Sequence, residues 1–210
     1  RNDDEVQVIV ARHRKIGRRV VRKTILNRCV DAEILNRLSD IKHPNIGQIL
    51  GVAKTRENVT LVMEYLEGGS LTEQMHDGRV APMKFAKWAD GMVAALKTAR
   101  QRGVAHGQLH PGNVLFDSKE VVKVVDFGLS GTRSSQYARY TRPDIRDPYQ
   151  MDRYALGVIW FEMLGTERFR GASSFEQNFQ KIQNDKNIPH LLKVPLARLW
   201  GIQRFGRQYH

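Results

Sequence analysis

The spacing of apolar residues along this 210-residue chain changes character once, at Glu67-Gly68-Gly69. Ahead of that point it is largely the alternation of strands; behind it, mostly the wider spacing of helices. Strands and helices kept apart in this way predict an α+β fold, in which a sheet and a helical part do not interleave. In the first part Val6, Val8 and Val10 alternate with Gln7 and Ile9. Arg14-Lys15-Ile16-Gly17-Arg18 then makes a charged turn, and Val20 to Ile25 returns as a second strand rich in β-branched residues. Asp31 to Leu38 puts apolar residues at 34, 35 and 38, a helix face, and His43-Pro44-Asn45 ends it. Ile49 to Val52 and Val59 to Met63 supply two further strands. The expectation is a small, mainly antiparallel sheet carrying one helix.

Behind the glycines, Ser70-Leu71-Thr72-Glu73 is a capping box, so a short helix should start at Leu71. Pro82 suits a first helical turn. Phe85, Trp88, Ala89, Met92, Leu96 and Ala99 fall on one side of a helix from Met83 to Arg102, which Gly103 ends. Val114 to Phe116 and Val121 to Val125 flank Asp117-Ser118-Lys119 as a small hairpin. Asp152 to Leu164 is apolar nearly all round, the mark of a buried helix. The length suits one domain with two lobes: a β lobe over about 1–66, a hinge over about 64–69 and a larger helical lobe over about 70–210. The chain starts at Arg1 rather than Met and reads as a piece of something longer, truncated at its ends.

Charge bears on partners rather than on fold. Lys and Arg number 34 against 22 Asp and Glu, a net charge of +12. Eight Lys/Arg and no acid lie between Val6 and Val30, and five with no acid from Lys186 to His210. A solvated face is the plainest account of such runs. The functional alternatives are an acidic protein partner, an anionic membrane or nucleic acid, and the scarcity of aromatics among the basic residues speaks against stacking on a single strand. A lone cysteine, Cys29, excludes an internal disulfide framework. The longest apolar run, Ala155 to Phe161, is far short of a membrane span, and with no signal peptide in view the expected location is the cytoplasm.

Six pieces, in order, carry a resemblance. They are Val20-Val21-Arg22-Lys23, His43-Pro44-Asn45-Ile46, the stretch Met63-Glu64-Tyr65-Leu66-Glu67-Gly68-Gly69-Ser70-Leu71, the loop His106-Gly107-Gln108-Leu109-His110-Pro111-Gly112-Asn113, the tripeptide Asp126-Phe127-Gly128, and Asp152-Arg153-Tyr154-Ala155-Leu156-Gly157. Over nearly its whole length the chain resembles the protein kinase superfamily, in the bacterial serine/threonine style. The resemblance implies a two-lobed fold, a small antiparallel β lobe with one helix above a larger helical lobe. It also implies ATP and Mg²⁺ as ligands. Phosphoryl transfer is mostly positioning and charge stabilisation, and each residue's implied role follows from that. Lys23 would meet the α/β phosphates, held by an acid of the first helix. Glu33 is the candidate, with Asp31 as runner-up because Glu33 stands one residue off the common spacing to His43. Asn113 and Asp126 would hold Mg²⁺, which takes oxygen ligands. Backbone groups of Glu64 and Leu66, beside Met63, would meet the adenine edge, with Val8 and Val21 above the ring and Leu115 below. Arg22 should leave the strand on the face opposite to Lys23.

Three departures count against turnover. The catalytic aspartate of the family falls at Gln108, an amide without useful basicity, and the functional position after it is His110. No glycine-rich phosphate loop precedes Val8; Arg1-Asn2-Asp3-Asp4-Glu5-Val6-Gln7 stands there instead. The glutamate that anchors the segment after Gly128 is replaced by Tyr140 in Tyr137-Ala138-Arg139-Tyr140, or the register is that of Arg142-Pro143-Asp144. Ser130, Thr132, Ser134, Ser135 and Thr141 are hydroxyls there open to phosphorylation. The expectation is a pseudokinase that acts through binding or regulation, with a protein partner and weak or no ATP and Mg²⁺. The alternatives are a divergent active Ser/Thr kinase, slow ATP hydrolysis with Gln108 orienting a water, and a basic interaction module without a nucleotide role.

Overall fold

The structure, a computed structural model, describes residues 2–3, 6–13, 17–75, 80–129 and 135–164, with positions 184 and 186. Five strands make one antiparallel sheet in the order β1-β2-β3-β5-β4: β1 Asn2–Asp3, β2 Val6–Arg12, β3 Arg19–Leu26, β4 Ile49–Lys54 and β5 Asn58–Glu64. Helix α1, Ala32–Ser39, packs against β4. The α+β expectation is met, and so are the strand and helix positions read from periodicity. In the glycine-free stretch ahead of Val8, Asn2 and Asp3 pair with Gln7 and Val6.

Register fixes what faces the helical part. Val8 stands opposite Lys23 and Val10 opposite Val21; on the other side Lys23 stands opposite Leu61 and Val21 opposite Met63. Directly opposed residues share a face. Val8, Val21, Lys23, Leu61 and Met63 therefore project together, and Arg22 leaves on the other face.

The helical part holds α2 Leu71–Gln74, α3 Pro82–Gln101 and α4 Pro148–Leu164, with the hairpin β6 Val114–Phe116 and β7 Val122–Val124. Ser70 Oγ accepts the Glu73 N–H, and the Glu73 carboxylate accepts the Ser70 N–H, which closes the capping box. In α4, buried residues run all round the helix from Asp152 to Leu164, as its apolar sequence requires. Among the described residues no helix is long and apolar enough to cross a membrane.

The two parts are joined behind the hinge. Asn45 gives its side-chain N–H to the Val122 carbonyl at 2.8 Å and its own carbonyl to the Val124 N–H at 2.8 Å, and the Gly47 N–H reaches the Val124 carbonyl at 2.8 Å. The core of the sheet lobe, built on Ile25, Leu35, Val59, Leu61 and Met63, is closed from below by Val125 and Leu129. The turn residues Arg14, Lys15 and Ile16, the hydroxyls of Ser130, Thr132 and Ser134, and the basic run after Lys186 lie outside the described residues.

Candidate functional site

Two short backbone segments meet under the sheet, 106–113 and 126–128. One buried acid hangs the first. Asp152, in α4, accepts the His106 N–H at 2.7 Å and the Gly107 N–H at 2.8 Å, one on each carboxylate oxygen. Gly107 has φ +79°, a left-handed backbone that lets consecutive N–H groups converge on one carboxylate. Burial pushes the Asp152 carboxyl up from its ordinary range, and those two N–H groups pull against it. His106 is buried against Phe127, ring centroids 4.8 Å apart. Its Nδ1 accepts the Gln108 N–H at 3.3 Å, so Nε2 carries the proton and donates to the Val125 carbonyl at 2.9 Å. Burial pushes the His106 imidazole below its usual pKa, with Asp152 and Asp126 opposing. The ring is a neutral structural link.

That link places the polar groups of the loop. Gln108 is half-buried at the turn. Asn113 gives its side-chain N–H to the Gln108 carbonyl at 3.1 Å, and its own carbonyl takes the Val125 N–H at 2.9 Å. The Gly128 N–H returns to the His106 carbonyl at 3.1 Å. Asp126, between them, has φ +65°, a left-handed conformation that costs a residue with a Cβ about 1–2 kcal/mol. Its Oδ2 lies 2.6 Å from Lys23 Nζ, with the two side chains only 21% and 13% exposed.

The expected contact between Lys23 and Glu33 is not the one made. Glu33 pairs with Arg37 one turn along α1 and is 74% exposed at the side chain. Asp31, the runner-up, caps the helix, its Oδ1 accepting the N–H groups of Glu33 and Ile34 at 2.8 and 3.2 Å. Neighbouring residues of a helix point about 100° apart. With Glu33 turned out, Ile34 is turned in, so close to the turn that a Cβ on Gly128 would lie 2.5 Å from Ile34 Cγ2. The one-residue offset seen in the sequence is thus a rotation: the inward position of α1 carries a hydrocarbon.

The residues expected around adenine come from the sheet, the segment after β5 and the β6–β7 hairpin. Val8 and Val21 project from the sheet beside Lys23, and Met63 and Leu66 are buried. Leu115 stands in β6 opposite Lys123, and both Val21 and Leu115 pack against the core of the sheet lobe. Glu64 has its carboxylate engaged: Oε1 accepts Lys123 Nζ at 2.9 Å and the Gln48 N–H at 2.8 Å. A cavity of about 320 Å³ opens elsewhere, lined by Glu67, Gly68, Gln74, Trp88, Phe116 and Asp117 among others, and none of the site residues borders it.

Tyr140 turns out to anchor its segment by other chemistry. Its hydroxyl donates to Glu162 Oε2 of α4 at 2.6 Å, and Arg139 Nε lies 3.2 Å from the other oxygen. The acid sits on the helix and the cation on the segment. Burial and the Glu162 charge push the Tyr140 phenol well above its ordinary pKa. Sequence reading missed Ile34, Asp152 and Glu162 as determinants of this site. The signal was present for the last two, acids within an otherwise apolar helix.

A model of the protein kinase domain matches residues 5–200. The chain is 26% identical over 212 residues to "Serine/threonine-protein kinase ULK3" of Rattus norvegicus, covering 88% of this chain and 45% of that protein. It is 30% identical over 219 residues to "CBL-interacting serine/threonine-protein kinase 19" of Arabidopsis thaliana, covering 92% of this chain and 45% of that one. It is 32% identical over 162 residues to "CBL-interacting protein kinase 15" of Oryza sativa subsp. japonica, covering 69% and 37%. The chain thus spans less than half the length of each of these three relatives.

Proposed function

Because the chain belongs to the protein kinase domain family, we propose that it is a pseudokinase, a kinase-fold domain that works by binding and regulation rather than by phosphoryl transfer. One observation carries this reading. The loop 106–113 brings an amide, Gln108, to the cleft and contains no carboxylate, while the nearby Asp126 is already held by Lys23. A general base is worth about 10²–10⁴-fold in such a step, so its loss lowers turnover by that order. The Lys23 ammonium is paired with Asp126 rather than with an acid of α1, whose Glu33 pairs with Arg37 instead. A two-lobed domain of this kind still presents surfaces to a protein partner, and any ATP or Mg²⁺ it takes is held weakly.

The test is a phosphotransfer assay on a generic protein substrate with wild type, Gln108→Asp and Lys23→Ala. Wild type should be indistinguishable from Lys23→Ala. Wild-type transfer abolished by Lys23→Ala would overturn the reading. A second reading, a divergent active serine/threonine kinase, draws on the similarity to serine/threonine-protein kinases and on Lys23, Asn113 and Asp126 all being present. That same pair of proteins decides between them.

A further inference from the structure

We infer that the outer face of the five-stranded sheet, the face turned away from Lys23, docks an acidic segment of a protein partner, with Arg22 as the anchor for one of its carboxylates. This rests on the reading above that the domain works by binding, and adds to it a surface and a partner chemistry. Register lays that face out. Arg22 stands in β3 between Ile9 of β2 and Val62 of β5, and Thr24 stands between Gln7 and Thr60 in the next row. Directly opposed residues share a face. Helix α1 lies on the other side, where Leu35 joins Ile25, Val59, Leu61 and Met63 in the core.

An antiparallel sheet with one face to water usually makes that face polar. This one does not. Ile9 is 41% exposed, Val62 is half-buried, and the two flank the single cation of their row. The Thr24 and Thr60 hydroxyls satisfy each other at 3.1 Å. Arg22 is exposed and has no hydrogen-bond or ion-pair partner among the described residues. Other cations of the lobe are matched, Arg19 with Glu67, Lys23 with Asp126 and Arg37 with Glu33.

Charge chooses the occupant. Eight Lys/Arg and no acid lie between Val6 and Val30, so the field over β2 and β3 is positive. Glu64, the one acid that strand alternation puts on this face among the described residues, is turned to Lys123. A guanidinium takes a carboxylate by two parallel N–H···O bonds, and aliphatic neighbours that exclude water strengthen such an anchor. An acidic segment with apolar residues beside its carboxylate fits the row of Ile9, Arg22 and Val62. A lipid surface would call for a cluster of cations, and nucleic acid for a line of them along its phosphates. Two copies joined by this face would bring two cations together with no acid.

The experiment titrates the protein into a fluorescent peptide of alternating leucine and glutamate and reads anisotropy. An all-glutamate peptide, a leucine–lysine peptide, phosphatidylserine vesicles and a duplex oligonucleotide are run beside it. The leucine–glutamate peptide should bind tightest, and the leucine–lysine peptide should not bind. Arg22→Ala should weaken binding about tenfold and Ile9→Ser severalfold, with folding checked by thermal melting. Arg12 projects on the face of Lys23, so Arg12→Ala removes the same charge and should leave binding nearly unchanged. Equal losses from Arg22→Ala and Arg12→Ala mean bulk charge alone and overturn the inference. Tighter binding of vesicles or oligonucleotide than of the leucine–glutamate peptide overturns it too, as does failure of that peptide to bind. Phosphotransfer depends on the Lys23 side of the sheet, so either result can fail while the other stands.

Discussion

Asp152 is the acid on which the site geometry hangs, and removing it gives the sharpest test of that geometry. Its two oxygens take the N–H groups of His106 and Gly107 at 2.7 and 2.8 Å. Asp152→Ala leaves the N–H of buried His106 without a partner, at about 1–3 kcal/mol, whereas the N–H of exposed Gly107 can turn to water. That loss is a large share of the roughly 5–15 kcal/mol that holds a domain folded. Asp152→Asn keeps the shape and one accepting oxygen, so it should lose about half as much. It also turns an amide N–H toward a backbone donor. Equilibrium urea unfolding, read by tryptophan fluorescence and by circular dichroism, measures all three proteins. The expected order is wild type, then Asn, then Ala, with the slope of free energy against urea unchanged. An Ala variant within about 0.5 kcal/mol of wild type would refute the reasoning, because that is the scatter of substitutions that touch nothing.

The remaining predictions follow from the same contacts. Burial holds the His106 imidazole below its usual pKa, so the unfolded chain takes up a proton that the folded one refuses. The stability this gives is complete above the unfolded value of about 6.5 and is lost as pH falls through the folded one, at up to about 1.4 kcal/mol per pH unit; urea midpoints across that range should show it, and His106→Gln should flatten it. The raised Tyr140 phenol runs the other way, its contribution present below about pH 10 and lost as pH rises beyond. Tyr140→Phe should cost about 1–3 kcal/mol by leaving Glu162 Oε2 short of a donor. Gly91→Ala would put a Cβ 2.3 Å from Val122 Cγ1 and 2.7 Å from Asn45 Nδ2. It should destabilise by about 1–3 kcal/mol and loosen the Asn45 link between the lobes, visible as faster amide exchange at Val124.

Much of this fold was legible because its elements obey one period each. The β3 alternation that put Lys23 and Arg22 on opposite faces needed only the pleat, and the capping box at Ser70 needed only four residues. The site was legible as chain position, with Gln108 and Asn113 in one short loop that the Asn113 side chain ties to the Gln108 carbonyl. It was not legible where a role follows from rotation. Glu33 and Ile34 are adjacent, and no local preference says which of them faces Gly128; tertiary packing decides, through Leu35 and Leu38, the buried side of α1. The Tyr140 anchor was hidden for a related reason. Its partner, Glu162, lies 22 residues away, and the acid is on a helix rather than in the segment, where a glutamate was expected.

The departures at the cleft are physically coupled. The Lys23 side chain is 13% exposed, and a nearly buried ammonium without a counter-charge costs several kcal/mol. Helix α1 turns a hydrocarbon toward the site, and the loop 106–113 supplies a neutral amide. Asp126 is the carboxylate that meets this need, and it pays with a left-handed backbone and an ion pair where a metal ligand would be free. On the proposed reading, Gln108→Asp alone supplies a proton acceptor but leaves Lys23 on Asp126, so it should recover phosphotransfer only in part.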